Sequence, residues 1–477
     1  MTLARCISWT LLAGAGFALF AGPAAGQAPP LPRKDNSAVE KVVGYRDALK
    51  GIPADGLNEA KENFAKFAKY YADVVAHPSV YKTPQEFKLD APGTLHLSID
   101  GPNGILQDIA RFTLEAAPGA SRPTPEHAVY IRELGAALDA AFKELIEKHP
   151  DPIVRVNAAR VLSVVCRSGS SAHYPTLTGL IANANTRTEI KYYALQGAAN
   201  LLAAYDADWI KTRNHVAQTE EPNLVGELVK VLDAGVNDPA RLVAGLPENK
   251  VTKATEEQLA VVALVRRQGI KALAQFRYVS STDGSGQVIY PVHTLARIAL
   301  SDPALVPAPG PADAAEAVIG ICNMAPVQVK GVRVTPLKYN ADAALEAVTA
   351  GLITFASPRA ADAFDRRLPW RTYSLRIAIA VRNWRPLFDP DFDVTKPSAF
   401  DAGRVPAAVE DFYKDTIPKV LAPMDRVDNS GKPDIGAKVD IEGLRSRLTA
   451  LRANPKRSTT LLAGVAATSI EFGPAPK

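Results

Sequence analysis

The sequence predicts a mainly α-helical protein. Three observations lead there. Alanine and leucine are used heavily while aromatic residues make up only 7% of the chain, a composition that favours helices packed closely on small side chains. The 37 prolines are too scattered along the 477 residues for a Pro-rich tract, and read as starts and stops for many short helices. Apolar residues recur every three or four positions over long stretches, the spacing of one helical face.

The elements follow in order. Arg5, the apolar run Ile7 to Ala21 and the small residues Pro23 to Ala28 have the three-part layout of an export leader, with cleavage expected after Gly26. The run is shorter than the roughly 20 residues that span a bilayer, and Cys6 precedes it, unlike a lipoprotein cysteine. Helices are expected at 38–50 and 57–76, the second carrying Phe64, Phe67, Tyr71 and Val74 on one side. Four prolines break the pattern between 78 and 103, where Thr94 to Ile99 suits a short strand, and a helix resumes at 105–116. Thr124-Pro125-Glu126 offers a hydroxyl cap, a proline at the first helical position and an acid in the first turn. The stripe from Ile131 to Leu145 follows. His149-Pro150-Asp151-Pro152 then stops one helix and starts the next, so the two lie side by side. His77 and His149 precede prolines at helix ends, where a cation would favour the last carbonyls.

That next helix reads Asp151-Pro152-Ile153-Val154-Arg155-Val156-Asn157-Ala158-Ala159-Arg160-Val161-Leu162. It resembles the second helix of the HEAT-repeat (armadillo-like) α-solenoid family, with an Asp-Pro start, a Val-Arg pair, two small residues and a leucine. Ile190-Lys191 and Ala194 lie 36 residues after Val154-Arg155 and Ala158, and Val265-Arg266 and Gly269 lie 111 residues after them, about three periods. The resemblance covers about 125–305. It implies stacked helical pairs, with Ala158, Ala194 and Gly269 at close contacts and with Asp151, Arg155, Lys191 and Arg266 linking successive repeats. It also implies an extended concave surface for a partner.

The expected organisation is a leader at 1–26, a helical segment at 27–120, the HEAT-like solenoid at 121–305, a Pro-rich connector and strand-like stretch (Val327 to Thr335) at 306–340, and a helical, loop-rich region at 341–477. Cys166 and Cys322 remain after the leader; a buried free thiol is the expectation for Cys166, with a disulfide as the alternative.

Catalytic and metal-binding spacings are missing from the sequence: no His-Glu-x-x-His, no Cys-x-x-Cys, no phosphate loop and no Gly-x-Ser-x-Gly elbow. Gly169-Ser170-Ser171-Ala172-His173 lacks the elbow's last glycine and reads as a turn between helices. Thr282 to Val288 resembles a calcium loop but lacks its ligands at Ser281 and Val292, and reads as a polar turn. Asp389, Asp391 and Asp393 would share one face of an extended segment, as a hard-cation site or a solvated loop. The most pointed feature is 359–385, with seven arginines against two aspartates, a net +5 equal to that of the entire chain. As a helix it puts Trp370, Tyr373, Ile377, Val381 and Trp384 on one side and Arg371, Arg382 and Arg385 on another; alternation from Tyr373 to Val381 would also suit a strand. The arginines either meet an anionic partner or pair with acidic neighbours.

The functional expectation is an exported, periplasmic or extracellular scaffold that binds another protein or an envelope polymer, with no cofactor and no transmembrane segment once the leader is removed. The mild charge excess argues against nucleic acid. The alternatives are an exported hydrolase or lyase with its site in the C-terminal region, and an envelope component that binds anionic surfaces.

Overall fold

In the computed structural model, residues 32–48, 52–81, 99, 104–113, 127–204, 215–233, 242, 254–330, 333–360, 368–389, 400–426 and 438–470 are described. The leader, Thr94 to Leu97, Thr124 to Glu126, Asp391 and Asp393 lie outside them. The fold is mainly α. Besides the single turn Pro78–Tyr81, its helices are α1 (Asn36–Asp47), α2 (Leu57–Ala76), α3 (Ile105–Phe112), α4 (Ala128–Lys148), α5 (Pro152–Val165), α6 (His173–Ala182), α7 (Thr188–Ala203) and α8 (His215–Asp233). They continue with α9 (Glu256–Leu273), α10 (Pro291–Ala299), α11 (Pro311–Asn323), α12 (Ala341–Ala360), α13 (Trp370–Trp384), α14 (Ala407–Thr416), the short α15 (Ala422–Asp425) and α16 (Ile441–Ala453).

Local chemistry sets the helix ends. The Asp151 carboxylate accepts from the Ile153 amide at 2.8 Å, with Pro152 at the first helical position of α5. Thr255 and Gln258 close a reciprocal capping box at α9. At α11, Pro311 opens the helix and the Asp313 carboxylate accepts from the Gly310 amide at 3.1 Å. The His149 Nδ1 accepts from the Asp151 amide at 3.1 Å and so ties the ring into the α4–α5 turn.

From α2 onward the helices pack in two layers. In one, α2, α4, α6, α8, α10 and α12 touch in sequence; in the other, α3, α5, α7, α9, α11 and α13 do the same. The pairs α4/α5, α6/α7, α8/α9 and α10/α11 are in contact across the layers. Each hairpin therefore meets mainly its predecessor and its successor. The hydrophobic core is continuous from Val42 to Ile470 and does not break at the Pro-rich segment 306–311. That segment is a loop inside the stack, leading from α10 to α11. Arg155 on α5 and Arg266 on α9 stand two hairpin steps apart in the structure, not the three that their spacing suggests.

Close helix approach depends on small residues. Ala158 is fully buried and Ala194 nearly so. A Cβ on Gly269 would lie 3.0 Å from Leu232 Cδ2 of α8, and one on Gly320 would lie 2.9 Å from the Ala274 Cα just past α9. The second contact is with backbone, which cannot give way as a side chain can.

Strands β1 (Tyr278–Thr282) and β2 (Val288–Ile289) form a hairpin between α9 and α10, and β3 (Ala325–Lys330) and β4 (Arg333–Pro336) a second one between α11 and α12. The single strand-like stretch expected at Val327 to Thr335 is thus this second hairpin. The sheet order is β2-β1-β3-β4, with β1 and β3 parallel and the outer pairs antiparallel. A β-hairpin thus follows both α9 and α11, and the first strands of the two hairpins run parallel. The turn joining β1 and β2 is the polar turn read from sequence: the Asp283 carboxylate accepts from the Ser285 and Gln287 amides at 3.0 and 2.9 Å.

Both Cys166 and Cys322 are free and fully buried. Burial pushes both thiols well above their ordinary pKa. Among the described residues, no helix is long and apolar enough to cross a membrane.

Candidate functional site

Polar links tie successive hairpins together. In the even-numbered layer, Asp139 of α4 receives the Thr176 hydroxyl of α6 at 2.6 Å and lies 3.0 Å from His173 Nδ1. Asp233, the last residue of α8, pairs with Arg297 of α10 at 2.9 Å. In the odd-numbered layer, Asn200 of α7 donates to the Ser163 carbonyl of α5 at 2.7 Å, and Gln268 of α9 to the Tyr192 hydroxyl of α7 at 2.9 Å. His173 is fully buried, and the group ties α4 to α6.

The residues singled out by the repeat resemblance divide in their roles. Asp151 is spent on capping its own helix. Arg155 donates through Nε to the Ile146 carbonyl at 2.6 Å, within its own hairpin instead of reaching the next. Lys191 is fully buried. Arg266 does reach forward, with Nη2 3.6 Å from Asp313 of α11, beside Arg267 whose Nε donates to the same carboxylate at 2.8 Å.

One step on, Glu316 of α11 is fully buried and takes two parallel hydrogen bonds from Arg376 of α13, both 2.8 Å. Such a fork is the strongest geometry an arginine and a carboxylate can adopt. Burial, with Glu316 adding to it, pushes the Tyr373 phenol up to about 12. Sequence reading missed Asp313 and Glu316, because a carboxylate in an amphipathic pattern is read as a solvent-facing residue. From Ala312 to Cys322 every residue of α11 is buried.

The basic segment is a helix from Trp370, and its apolar side is the expected one: Trp370, Tyr373, Ile377, Val381 and Trp384 are all buried. Leu375 and Ile379 are 55% and 49% exposed, which rules out the strand alternation. The three arginines fare differently. Arg371 Nε bonds Asp425 of α15 at 2.9 Å in an exposed pair. Arg382 is exposed and has no partner among the described residues. Arg385 is half-buried, pairs with Glu410 of α14, and lies over the rings of Tyr413 and Phe400 at 4.9 and 5.1 Å. Asp389 is buried and accepts from the Asp401 amide at 3.2 Å. Among the described residues, no three acidic, histidine or cysteine side chains converge as metal ligands would.

These differences set an expected result. Replacing Arg371 and Arg382 together with glutamine should move the melting curve little, since exposed ion pairs contribute roughly 0–1 kcal/mol. Arg385→Gln alone should cost about 2–4 kcal/mol, because Glu410 loses its cation in a poorly hydrated place. Thermal melting of both variants checks this; equal losses would contradict the assignment.

Exposed large apolar side chains are concentrated on one layer. Of the six among the described residues, Ile153 lies on α5, Val261 and Leu264 on α9, and Leu375 and Ile379 on α13; Val288 is in β2. None is on an even-numbered helix. The flanks of α9 are taken by α7 and α11 and its inner side by the even layer, so Val261 and Leu264 face outward. Leu375 and Ile379 do the same on α13. Between these two apolar pairs lies α11, with Arg267 and Arg376 covering its carboxylates while staying about one-third exposed. The outward side of α9–α11–α13 is therefore apolar, cationic, then apolar again.

No family model matches the chain, and no curated protein and no solved structure matches it either.

Proposed function

We propose that the protein is an exported, HEAT-like α-solenoid that serves as a protein-binding scaffold in the cell envelope, and that it docks its partner on the outward side of α9, α11 and α13. The observation that carries this reading is the restriction of exposed Val261, Leu264, Leu375 and Ile379 to two helices flanking α11. Exposed apolar side chains gathered on one face mark interaction sites, whereas scattered ones need no explanation. Nearest-neighbour stacking and the parallel pairing of β1 with β3 support the solenoid. The leader-like layout of residues 1–26 supports export.

The partner suited to this face is a protein that presents an apolar ridge with acidic residues beside it. Arg382 has no described counterion, and Arg371 is held only by an exposed pair that an incoming carboxylate can displace.

A photo-crosslinking amino acid at position 264 or 379 of the exported chain, irradiated in an envelope extract, tests the proposal. One adduct of the same mass from both positions, and none from position 62 on the exposed side of α2, is the expected result. Equal labelling from all three positions would overturn it.

A further inference from the structure

A cleft lies at the edge of the stack where the α4–α5 and α6–α7 turns meet, away from the α9–α13 face. We infer that it binds a carboxylate whose carbon chain lies on an apolar floor. Its volume is about 380 Å³ and it opens to solvent, a size near the lower end for small-molecule sites. Ile146 and Ile190, each 1% exposed, form part of its floor.

The polar lining is dominated by donors. The Arg155 guanidinium is held by its Nε bond to the Ile146 carbonyl at 2.6 Å, which leaves both Nη groups without an acceptor among the described residues. Asn183 uses its Oδ1 to accept from the Asn185 amide at 2.9 Å, so its amide NH2 remains to donate. Lys143 lines the same cleft, and its only described carboxylate contact is Glu147 at 4.0 Å, where both side chains are about half exposed. An arginine fork, an ammonium and a side-chain amide together suit a planar anion. Glu147 on the lining disfavours a dianion such as phosphate, and the apolar floor accepts a short hydrocarbon chain. The carboxylate belongs either to a free short-chain acid or to the C-terminus of a peptide.

Calorimetric titration of the exported chain separates these sources, with hexanoate, the tripeptide Ala-Ala-Leu, its C-terminal amide and inorganic phosphate as probes. Saturable binding of hexanoate alone assigns a small acid; binding of the free tripeptide and not its amide assigns a chain terminus. In either case Arg155→Lys, which keeps the charge and removes the fork, should weaken binding at least tenfold. Lys143→Gln with Asn183→Ala, which disturbs only surface contacts, should weaken it similarly at unchanged melting temperature. No saturable binding, equal binding of the amide or of phosphate, or no loss in either variant would overturn the inference.

Discussion

Ala158→Arg is expected to destabilise the protein by at least about 4 kcal/mol, read as a large fall in the denaturation midpoint. Ala158 is fully buried at the centre of α5, which packs on α4, α7 and α3. Overpacking alone costs roughly 1–3 kcal/mol. The guanidinium would also be buried where no acid among the described residues is assigned to it, and an unpaired buried charge costs several kcal/mol more. Ala158→Gly, which leaves the packing open, should cost only about 1 kcal/mol from helix propensity. An unchanged melting curve for the arginine variant would mean that the face of α5 has been misassigned.

The second large effect concerns the tie between α11 and α13. Arg376→Ala should cost about 3–5 kcal/mol, because it strips the fully buried Glu316 carboxylate of its counter-ion and of two charge-assisted hydrogen bonds. Replacing both members by Leu and Met should recover most of that loss, since a buried ion pair exchanged for apolar groups of similar size is often near neutral. Denaturant melts of the single and double variants check this. A double variant as unstable as the single one would show that the fork organises the α11–α13 contact beyond its own energy.

Much of the helical layout was legible in the sequence, and the reasons are local. The extent of α2 follows from its aromatic stripe, the start of α5 from Asp151 and Pro152, and the buried side of α13 from the spacing of Trp370, Tyr373, Ile377, Val381 and Trp384. What was not legible depends on distant parts of the chain. The β1 run Tyr278-Val279-Ser280-Ser281-Thr282 has strand-forming residues, but its main partner is β3, more than forty residues on. Asp313 and Glu316 find Arg267 and Arg376 from helices 46 and 60 residues away.

The docking face was hidden for a related reason. Leu264 in α9 and Leu375 in α13 have the same side-chain chemistry as core leucines, and only the packing of neighbouring helices shows that they remain outside. Of the three arginines read as one basic face, Arg385 is drawn inward by Glu410, Tyr413 and Phe400, none of which lies nearby in sequence.

The central claim is that the outward side of α9, α11 and α13 is where a partner docks. The direct measurement is the affinity of the crosslinked partner, once purified, for wild-type chain and for Leu264→Asp with Leu375→Asp. Both leucines are about half exposed, so the double variant should melt as wild type does. Buried interface anchors contribute roughly 2 kcal/mol or more each, so the affinity should fall at least a hundredfold. Equal affinity of the two proteins, at equal melting temperature, would contradict the account.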